Sequence, residues 1–233
     1  MVIDDKIKQE MMLYYNERAE EYDQIFFGKG HINIDPDVYK KDVIKVSEMI
    51  SRFGKGHLID IACGTGFWLP NYARNCNQIT FLDQSERMLS ICKERVEKLG
   101  LKNISNFIQG NLLDVDLETS KYDCALVGFL LSHLTHEQEK AFLGRLKKTL
   151  KANSQIMFID SAWNKRRKQY REKEGIQERV LSDGRVFKVY KRYFKKSDVQ
   201  EIFKRYNFVI KSYYIGDAFI AAIACLGAIV PAQ

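Results

Sequence analysis

The sequence predicts an α/β fold in which a mostly parallel sheet carries helices on both faces. Three short, near-continuous apolar runs lie at 58–61, 79–82 and 122–127. Runs of this kind are typical of strands that are buried on both faces of a parallel sheet. Helical patterns separate them, and 233 residues suffice for one α/β domain with a full core. We therefore treat 1–233 as a single domain.

The other elements follow in chain order. Asp35 precedes Pro36 and predicts a helix that runs to Gly54, because a capping residue before a first-turn proline favours a helix start. Ser85 and Ser197 are expected to cap two later helices. The remaining predicted helices span 67–75, 86–99, 135–151 and 198–206, and the remaining predicted strands span 106–109, 155–160, 208–214 and 218–223.

A glycine turn follows the first strand, where residues 60–66 read Asp-Ile-Ala-Cys-Gly-Thr-Gly. Gly64 and Gly66 can adopt positive φ and have no Cβ, so a ligand can lie directly against the backbone. The amides at the start of the next helix would face that ligand. The stretch therefore predicts a strand, a ligand-binding turn and a helix.

The neighbouring side chains indicate which ligand. Leu69 stands where a dinucleotide-binding turn has its third glycine. Asp60 would repel a phosphate and suits a cationic amine. Asp83 ends the next strand, where a carboxylate can accept both hydroxyls of a ribose. Together these features predict a nucleoside that carries an amino acid and no phosphate, namely S-adenosylmethionine.

These motifs resemble those of the class I S-adenosylmethionine-dependent methyltransferases of small-molecule type, the group of the quinone C-methyltransferases and methyltransferase domains 11 and 25. The likeness rests on 60–66, on Asp83 followed by Ser85 and Met88, and on Gly-Asn-Leu at 110–112. It covers roughly residues 10 to 160. It implies a Rossmann-like, seven-stranded sheet that is mostly parallel and has an antiparallel last strand.

The resemblance also implies which residues bind the cofactor. Asp60 and the glycine turn would hold the methionine end, Asp83 the ribose, and Met88 and Asn111 the adenine. Many relatives have Asp where this chain has Asn111, and an amide oxygen can accept the same hydrogen bond. The cofactor-binding candidates are Tyr15, Tyr22, Asp60, Ala62, Cys63, Gly64, Gly66, Asp83, Gln84, Met88, Asn111, Leu112 and Gly128.

Residues 1–35 are predicted to form an N-terminal helical lid. One helix is expected over 5–27, and the resemblance implies that its Tyr15 and Tyr22 cover the cofactor and exclude water from the sulfonium. The alternative is that these tyrosines only pack the helix against the domain. His31 is too isolated to indicate a metal site, and no metal is predicted.

Residues 162–195 are predicted to form a cap inserted after the fifth strand. Residues 163–174 are basic and helical in pattern, whereas 179–194 alternate around Asp183-Gly184. An Asp-Gly pair between alternating segments predicts a hairpin with a two-residue turn. We therefore expect a cap made of one helix and one hairpin.

The positive charge is concentrated late in the chain. The formal net charge is +7, and residues 161–211 contain 16 Lys or Arg against 6 Asp or Glu. Such a segment is often only a solvated face. It also fits an anionic small molecule, an anionic membrane surface or RNA as partner.

The cysteines and the hydropathy pattern indicate a cytoplasmic protein. The five cysteines form no Cys-x-x-Cys pair, so reduced thiols are expected. No apolar run is long enough for a membrane span, and the charged residues 1–10 predict no signal peptide.

Two residues are candidates for catalysis. His133 follows the fourth strand, at the edge where open sheets bind ligands, and it can act as a general base. The alternative is that His133 only packs or forms hydrogen bonds. Tyr22 is a weaker candidate. The Asn-Pro-Pro-Tyr signature of enzymes that methylate nucleic-acid amino groups is absent at 127–130.

The predicted function is methyl transfer from S-adenosylmethionine to a small-molecule or lipid-like acceptor, which the basic segment suggests is anionic. The attacked atom, whether oxygen, nitrogen or carbon, remains open, as does the oligomeric state. One alternative is an RNA or protein methyltransferase that uses 161–211, although nucleic acid is not the expected partner. A second alternative is a non-catalytic protein that binds S-adenosylmethionine.

Overall fold

A computed structural model describes residues 3–29, 35–111 and 113–227. The strands are β1 (His57–Ile61), β2 (Gln78–Asp83), β3 (Ser105–Gln109), β4 (Tyr122–Gly128), β5 (Leu150–Ser161), β6 (Glu174–Val180), β7 (Val186–Arg192), β8 (Phe208–Ile215) and β9 (Phe219–Leu226). The α-helices are α1 (Asp5–Glu17), α2 (Pro36–Ile50), α3 (Leu69–Tyr72), α4 (Glu86–Lys98), α5 (His136–Thr149) and α6 (Lys196–Arg205). Short 3-10 helices lie at Ala19–Phe27, Ala73–Asn75, Lys102–Ile104, Leu131–His133 and Arg167–Gln169.

One sheet of seven strands organises the molecule, in the order β3-β2-β1-β4-β5-β9-β8. β9 runs antiparallel to β5 and β8, and the other neighbouring pairs are parallel. This confirms the predicted Rossmann-like sheet with its antiparallel last strand. The strand order reverses between β1 and β4, and open α/β sheets bind ligands beside the carboxyl ends of the strands at such a point.

Apolar side chains bury both faces of the sheet. On one face, Phe142 of α5 and Phe203 of α6 belong to the same core as Ile59 of β1. On the other face, Ile50 of α2 and Leu89 of α4 pack in a second core. A strand that contributes to both cores has no solvent-facing side, which explains why its sequence does not alternate.

The predicted helix caps are present where they were expected before α2 and α4. The Asp35 carboxylate accepts a hydrogen bond from the Asp37 amide at 2.9 Å, and the Ser85 hydroxyl accepts one from the Met88 amide at 3.2 Å. α2 ends at Ile50 rather than at Gly54. α6 begins at Lys196, one residue before the predicted cap.

The predicted single helix over 5–27 is wrong in one respect. α1 ends at Glu17, and the chain continues from Ala19 to Phe27 as a 3-10 helix. In this 3-10 helix the Phe26 ring stacks on the ring of Phe67, which directly follows Gly66, with the two ring centroids 3.9 Å apart. Packing against the domain therefore overrides the regular helical pattern.

The predicted cap consists mainly of a hairpin. The expected helix over 163–174 is wrong, because that stretch contains only the 3-10 turn at Arg167–Gln169 and then enters β6. The hairpin of β6 and β7 is confirmed, with Val180 paired to Val186. Its turn is longer than two residues, since the Gly184 amide donates to the Leu181 carbonyl.

The N-terminal helix and this hairpin pack on each other. The Lys188 amide donates to the Glu10 carboxylate at 2.6 Å, and the Tyr190 amide approaches the Met11 sulfur at 3.3 Å. The two segments therefore form one layer rather than two separate covers. Among the residues described, no helix is long and apolar enough to cross a membrane. The roles of 1–35 as a lid and of 162–195 as a cap remain predictions.

Candidate functional site

A cavity of about 250 Å³ lies between α1 and the carboxyl ends of β1, β2 and β4. Most of the predicted cofactor-binding residues line it together. These residues are Tyr15, Tyr22, Ala62, Gly64, Asp83, Gln84, Met88, Asn111 and Gly128. We call this space the donor cavity.

Asp83 is fixed in orientation at the end of β2. One carboxylate oxygen accepts the Ser85 amide and the other accepts the Gly64 amide, each at 2.9 Å. Burial raises the pKa of Asp83, although these amide donors act in the opposite direction. Each oxygen keeps a second lone pair, so the carboxylate can still accept two hydrogen bonds from a ligand in the cavity.

Gly64 exposes bare backbone to the donor cavity. Its φ is +54°, and a Cβ at this position would lie 3.7 Å from the Tyr22 ring and 3.9 Å from the Met88 sulfur. A larger side chain would therefore project into the space between these two residues. The absent side chain leaves that space open to a ligand.

Three of the predicted residues do not line the donor cavity. Asp60 is buried and accepts the Tyr72 hydroxyl at 2.6 Å, and burial raises its pKa to about 7. A Cβ on Gly66 would lie 2.8 Å from the Cys92 sulfur, so Gly66 is needed for packing on α4. The Cys63 thiol lies 3.6 Å from the Gly64 carbonyl, and burial raises its pKa.

The adenine candidates differ in what the structure describes. Met88 is buried against the cavity, and Asn111 is exposed at its rim. The Asn111 side-chain oxygen accepts the Leu113 amide at 2.9 Å, which holds the local turn and leaves one lone pair. Leu112 lies outside the described residues.

The sequence did not identify several apolar residues that line the donor cavity. Phe129 follows β4 with a φ of +55°, which is unusual for a residue with a large side chain. Its amide donates to the Ile159 carbonyl at 2.7 Å, so the sheet edge holds this conformation. The other apolar residues are Ile3, Met11, Met12, Ile61, Leu82, Leu113, Leu130, Leu134 and Phe142.

A second cavity of about 110 Å³ lies on the other side of a thin wall. Tyr15, Tyr22, Phe129 and His133 line both spaces and therefore form this wall. We call the second space the cationic cavity.

The cationic cavity contains an excess of unpaired positive charge. Arg18, Arg167, Arg171, Arg179 and Lys191 line it. The Lys191 ammonium lies 3.5 Å from the Asp160 carboxylate. Within the described part of the chain, none of the four arginines forms an ion pair with a carboxylate. Unpaired arginines in a partly closed space are typical of a site that binds an anion.

Buried hydrogen-bond donors without partners also occur beside the cationic cavity. Arg167 Nε and Gln177 Nε2 are buried, and neither has a hydrogen-bond partner within the described ranges. Gln177 Oε1 accepts the Tyr193 hydroxyl and an Arg179 nitrogen, each at 2.9 Å. Arg167 lines the cavity, and because native proteins rarely leave buried donors unpaired, an acceptor group bound there would satisfy its Nε.

The pKa of the Tyr193 phenol is lowered by the cations around the cavity. Burial alone would raise its pKa, but the cations of Arg179, Lys191, Arg167 and Arg171 outweigh burial and lower it. A phenolate is stabilised only where the local potential is positive. The cavity therefore favours negative charge.

His133 is neutral and already hydrogen-bonded on both ring nitrogens. Its Nδ1 lies 2.8 Å from the Tyr190 carbonyl, so Nδ1 carries the proton and Nε2 accepts the Tyr15 hydroxyl at 2.7 Å. Burial, followed by the nearby Lys191 ammonium, holds the pKa of His133 well below its ordinary value. The ring therefore orients Tyr15 in the wall.

Tyr22 is held as a neutral phenol. Burial raises its pKa far above the ordinary value. The Arg18 guanidinium lies 5.3 Å from the ring centroid, and the Tyr15 ring lies 6.3 Å away. Tyr22 is thus an aromatic wall between the two cavities and a poor proton acceptor.

Several cations of the basic segment are turned inward or paired. The buried Arg192 guanidinium lies 2.7 Å from the Glu139 carboxylate, and Arg185 lies 3.0 Å from Glu17. Arg167 and Lys191 are also buried. The charge excess found in the sequence is therefore not simply a solvated face.

Comparison with known proteins supports this description. Residues 58–153 match a family described as a methyltransferase domain. A demethylmenaquinone methyltransferase of Listeria welshimeri is 27% identical over 128 residues, which are 53% of this chain and 51% of that protein. A protein of the same name from Bacillus cytotoxicus is 33% identical over 79 residues, a share of 33% of each chain. The chain thus spans about half the length of the Listeria relative.

Solved structures share the fold over nearly the whole chain. A DhpI-SAM-HEP complex has a TM-score of 0.76 at 21% identity and covers 96% of this chain and 99% of its own. The 1,6-didemethyltoxoflavin-N1-methyltransferase of Burkholderia thailandensis, with bound 1,6-didemethyltoxoflavin and S-adenosylhomocysteine, has a TM-score of 0.68 at 10% identity and covers 98% and 92%. At these identities the likeness establishes the fold.

Proposed function

We propose that this chain is a class I S-adenosylmethionine-dependent methyltransferase that transfers a methyl group to a small anionic acceptor. The observation that carries the proposal is the wall between the two cavities. Tyr15, Tyr22, Phe129 and His133 separate the donor cavity from the cationic cavity. Because these side chains line both spaces, the cavities are adjacent, and methyl transfer requires a gap between the side chains through which the acceptor contacts the methyl group of the donor.

The donor cavity suits S-adenosylmethionine. Asp83 retains free lone pairs for the two hydroxyls of a ribose, and Gly64 leaves its backbone open beside Met88. Bound there, the cofactor supplies an electrophilic methyl group. The aromatic rings of Tyr15 and Tyr22 exclude water from that part of the cavity, which favours transfer to the acceptor over loss to solvent.

The acceptor is small. At about 110 Å³, the cationic cavity is less than half as large as the donor cavity at about 250 Å³, so we take the acceptor to be smaller than the cofactor. The unpaired guanidinium groups of Arg18, Arg167, Arg171 and Arg179 favour a carboxylate or a phosphoryl group.

An RNA or protein substrate is the alternative that the basic segment leaves open. Of its cations, Arg167, Lys191 and Arg192 are buried, whereas others such as Lys165, Arg166 and Lys168 are exposed. RNA binding by the exposed cations would weaken steeply as the salt concentration rises, and this salt dependence distinguishes the alternative from a small acceptor.

The experiment is to measure S-adenosylhomocysteine released from S-adenosylmethionine. The purified chain is supplied with deproteinised cell extract that has been separated into anionic, neutral and cationic pools. We expect release with the anionic pool alone. Arg171→Met should reduce it about tenfold or more, on the order of one lost charge-assisted contact. Arg166→Met is the matched control, because Arg166 is an exposed neighbour that does not line the cavity.

Two results would contradict the proposal. Release that depends on the neutral or cationic pool would show that the acceptor is not anionic. Binding of the cofactor without release from any pool would favour the non-catalytic alternative.

A further inference from the structure

The geometry points to an anionic oxygen as the atom that is methylated, kept in its ionised form by the cations of the cationic cavity and without a general base. This inference rests on the proposed function and extends it to the reaction type. It depends on two independent observations around the same space, the unpaired arginines and the lack of an available proton acceptor.

The first step concerns carboxylates and histidine. Among the described residues that line the cationic cavity there is no Asp or Glu, and His133 is the one histidine. Its acceptor nitrogen is filled by the Tyr15 hydroxyl at 2.7 Å. An imidazolium would also face the Lys191 ammonium, which lies 3.4 Å from the same nitrogen. His133 is therefore a positioning residue for Tyr15.

The second step concerns Lys191 and Tyr193, whose pKa values are both lowered. Burial lowers the pKa of the Lys191 ammonium. That ammonium donates to the Ser132 hydroxyl at 2.6 Å and lies 3.5 Å from the Asp160 carboxylate. Both contacts favour the charged form and oppose the effect of burial, and while the ammonium makes them it has no lone pair with which to accept a proton. The Tyr193 hydroxyl donates to the Gln177 side-chain oxygen at 2.9 Å, which holds it as a phenol.

The third step excludes an amine acceptor. A protonated amine would be repelled by Arg18, Arg167, Arg171 and Arg179, and the cavity offers no free base to deprotonate it. An acidic group has the opposite properties, because the same cations stabilise its ionised form. It enters the cavity as a nucleophile that is already deprotonated.

The transfer step then needs no proton movement. A lone pair of the acceptor oxygen forms the new oxygen–carbon bond while the carbon–sulfur bond breaks, and that electron pair remains on sulfur. The negative charge of the oxygen and the positive charge of the sulfonium are both lost. The methylated product has less charge for the arginines to hold, which favours its release.

Binding of probes that are matched in length and differ in charge tests the electrostatic half of the inference. Malonate, malonamide and 1,3-diaminopropane have similar lengths and differ in charge. They are titrated by calorimetry into the protein loaded with S-adenosylhomocysteine. We expect malonate to bind at least about tenfold more tightly than malonamide, the order of one charge-assisted contact, and the diamine not to bind. Equal binding of malonate and malonamide would overturn the inference.

His133→Gln tests whether a base is used. Loss of a general base typically costs about 10²–10⁴-fold in rate. For a positioning residue, we expect kcat/KM to fall by less than that range, about tenfold or less. We also expect the pH profile from weakly acid to weakly alkaline solution to stay flat. A fall in kcat/KM of about 10²–10⁴-fold, together with the loss of one limb of the pH profile, would show that His133 is the general base.

The product identifies the attacked atom. S-adenosylmethionine with a ¹³C-labelled methyl group is incubated with the three metabolite pools, and the carbon shift distinguishes methyl groups on oxygen, nitrogen and carbon. An O-methyl product from the anionic pool supports the inference. An N-methyl or C-methyl product would overturn it and leave methyl transfer intact. No S-adenosylhomocysteine from any pool would overturn both.

Discussion

The Asp83 carboxylate gives the sharpest test of the donor cavity. Each oxygen accepts an amide at 2.9 Å, from Gly64 and from Ser85. In Asp83→Asn, one oxygen becomes an NH₂ donor that faces one of these amide donors. The charge that strengthens hydrogen bonds to ribose hydroxyls is also lost. Hydrogen bonds to charged groups contribute about 1.5–3 kcal/mol, so we expect S-adenosylhomocysteine to bind roughly 10- to 150-fold more weakly.

Titration calorimetry measures this change directly. Asp116→Asn is the matched control, because it makes the same chemical change at an exposed residue that does not line the cavity. Thermal unfolding of both variants checks that the fold is retained. If Asp83→Asn binds S-adenosylhomocysteine as tightly as the unmodified chain, Asp83 does not hold the ribose and the assignment is refuted.

Three further predictions follow from the same region. Gly64→Val and Gly66→Val should both lower thermal stability, because each glycine has a positive φ, and Gly66→Val should lower it more because its Cβ would also lie 2.8 Å from the Cys92 sulfur. Gly64→Val should in addition abolish cofactor binding in the protein that remains folded. Calorimetry and melting curves distinguish the two variants, and cofactor binding that survives Gly64→Val but is lost with Gly66→Val would refute both roles. Asp60 has its pKa raised from 3.8 to about 7, so its contribution to stability is full below about pH 4 and is lost as the pH rises through about 7. Asp60→Asn can still accept the Tyr72 hydroxyl. As the pH rises between those values, the free energy of unfolding of Asp60→Asn, measured with urea, should increase by about 2–4 kcal/mol relative to that of the unmodified chain. A difference that stays constant with pH would contradict this. Hydrogen exchange should slow in 10–27 when S-adenosylhomocysteine binds and in 163–194 when malonate follows; no change in either segment would mean that these segments are scaffold.

Local chemistry made the donor half of the site predictable. An apolar run that ends in glycines specifies a strand and a tight turn within a few residues. Asp83 could be placed because it ends a run of the same kind. The Ser85 cap then fixes where α4 begins. Each of these inferences uses residues that are close in sequence.

Side-chain direction limited the same reasoning. Asp60 belongs to the glycine motif, yet it turns to the Tyr72 hydroxyl twelve residues later. Gly66 could be recognised as a required glycine, but its neighbour is Cys92 on α4 and not a ligand. Sequence spacing gives the position of a residue along a strand or turn, and tertiary packing decides which group it faces.

The sequence predicted a basic cap and an anionic acceptor, but the individual residues of the cationic cavity could not be predicted because distant segments build it. Arg18 comes from the N-terminal region, Arg167 and Arg179 come from the inserted segment, and Phe219 begins the last strand. A basic segment has the same composition whether its side chains face water or a cavity. The helix expected over 163–174 failed for a related reason, since Arg167 instead donates to the Ala218 carbonyl at 3.2 Å.

All of these proposals depend on the identity of the methyl donor. Titration of S-adenosylhomocysteine and of NAD into the same protein tests it most directly. The absence of a third glycine at Leu69, the Asp83 carboxylate and the open backbone at Gly64 predict micromolar binding of S-adenosylhomocysteine and no binding of NAD. Tighter binding of NAD than of S-adenosylhomocysteine would contradict the account.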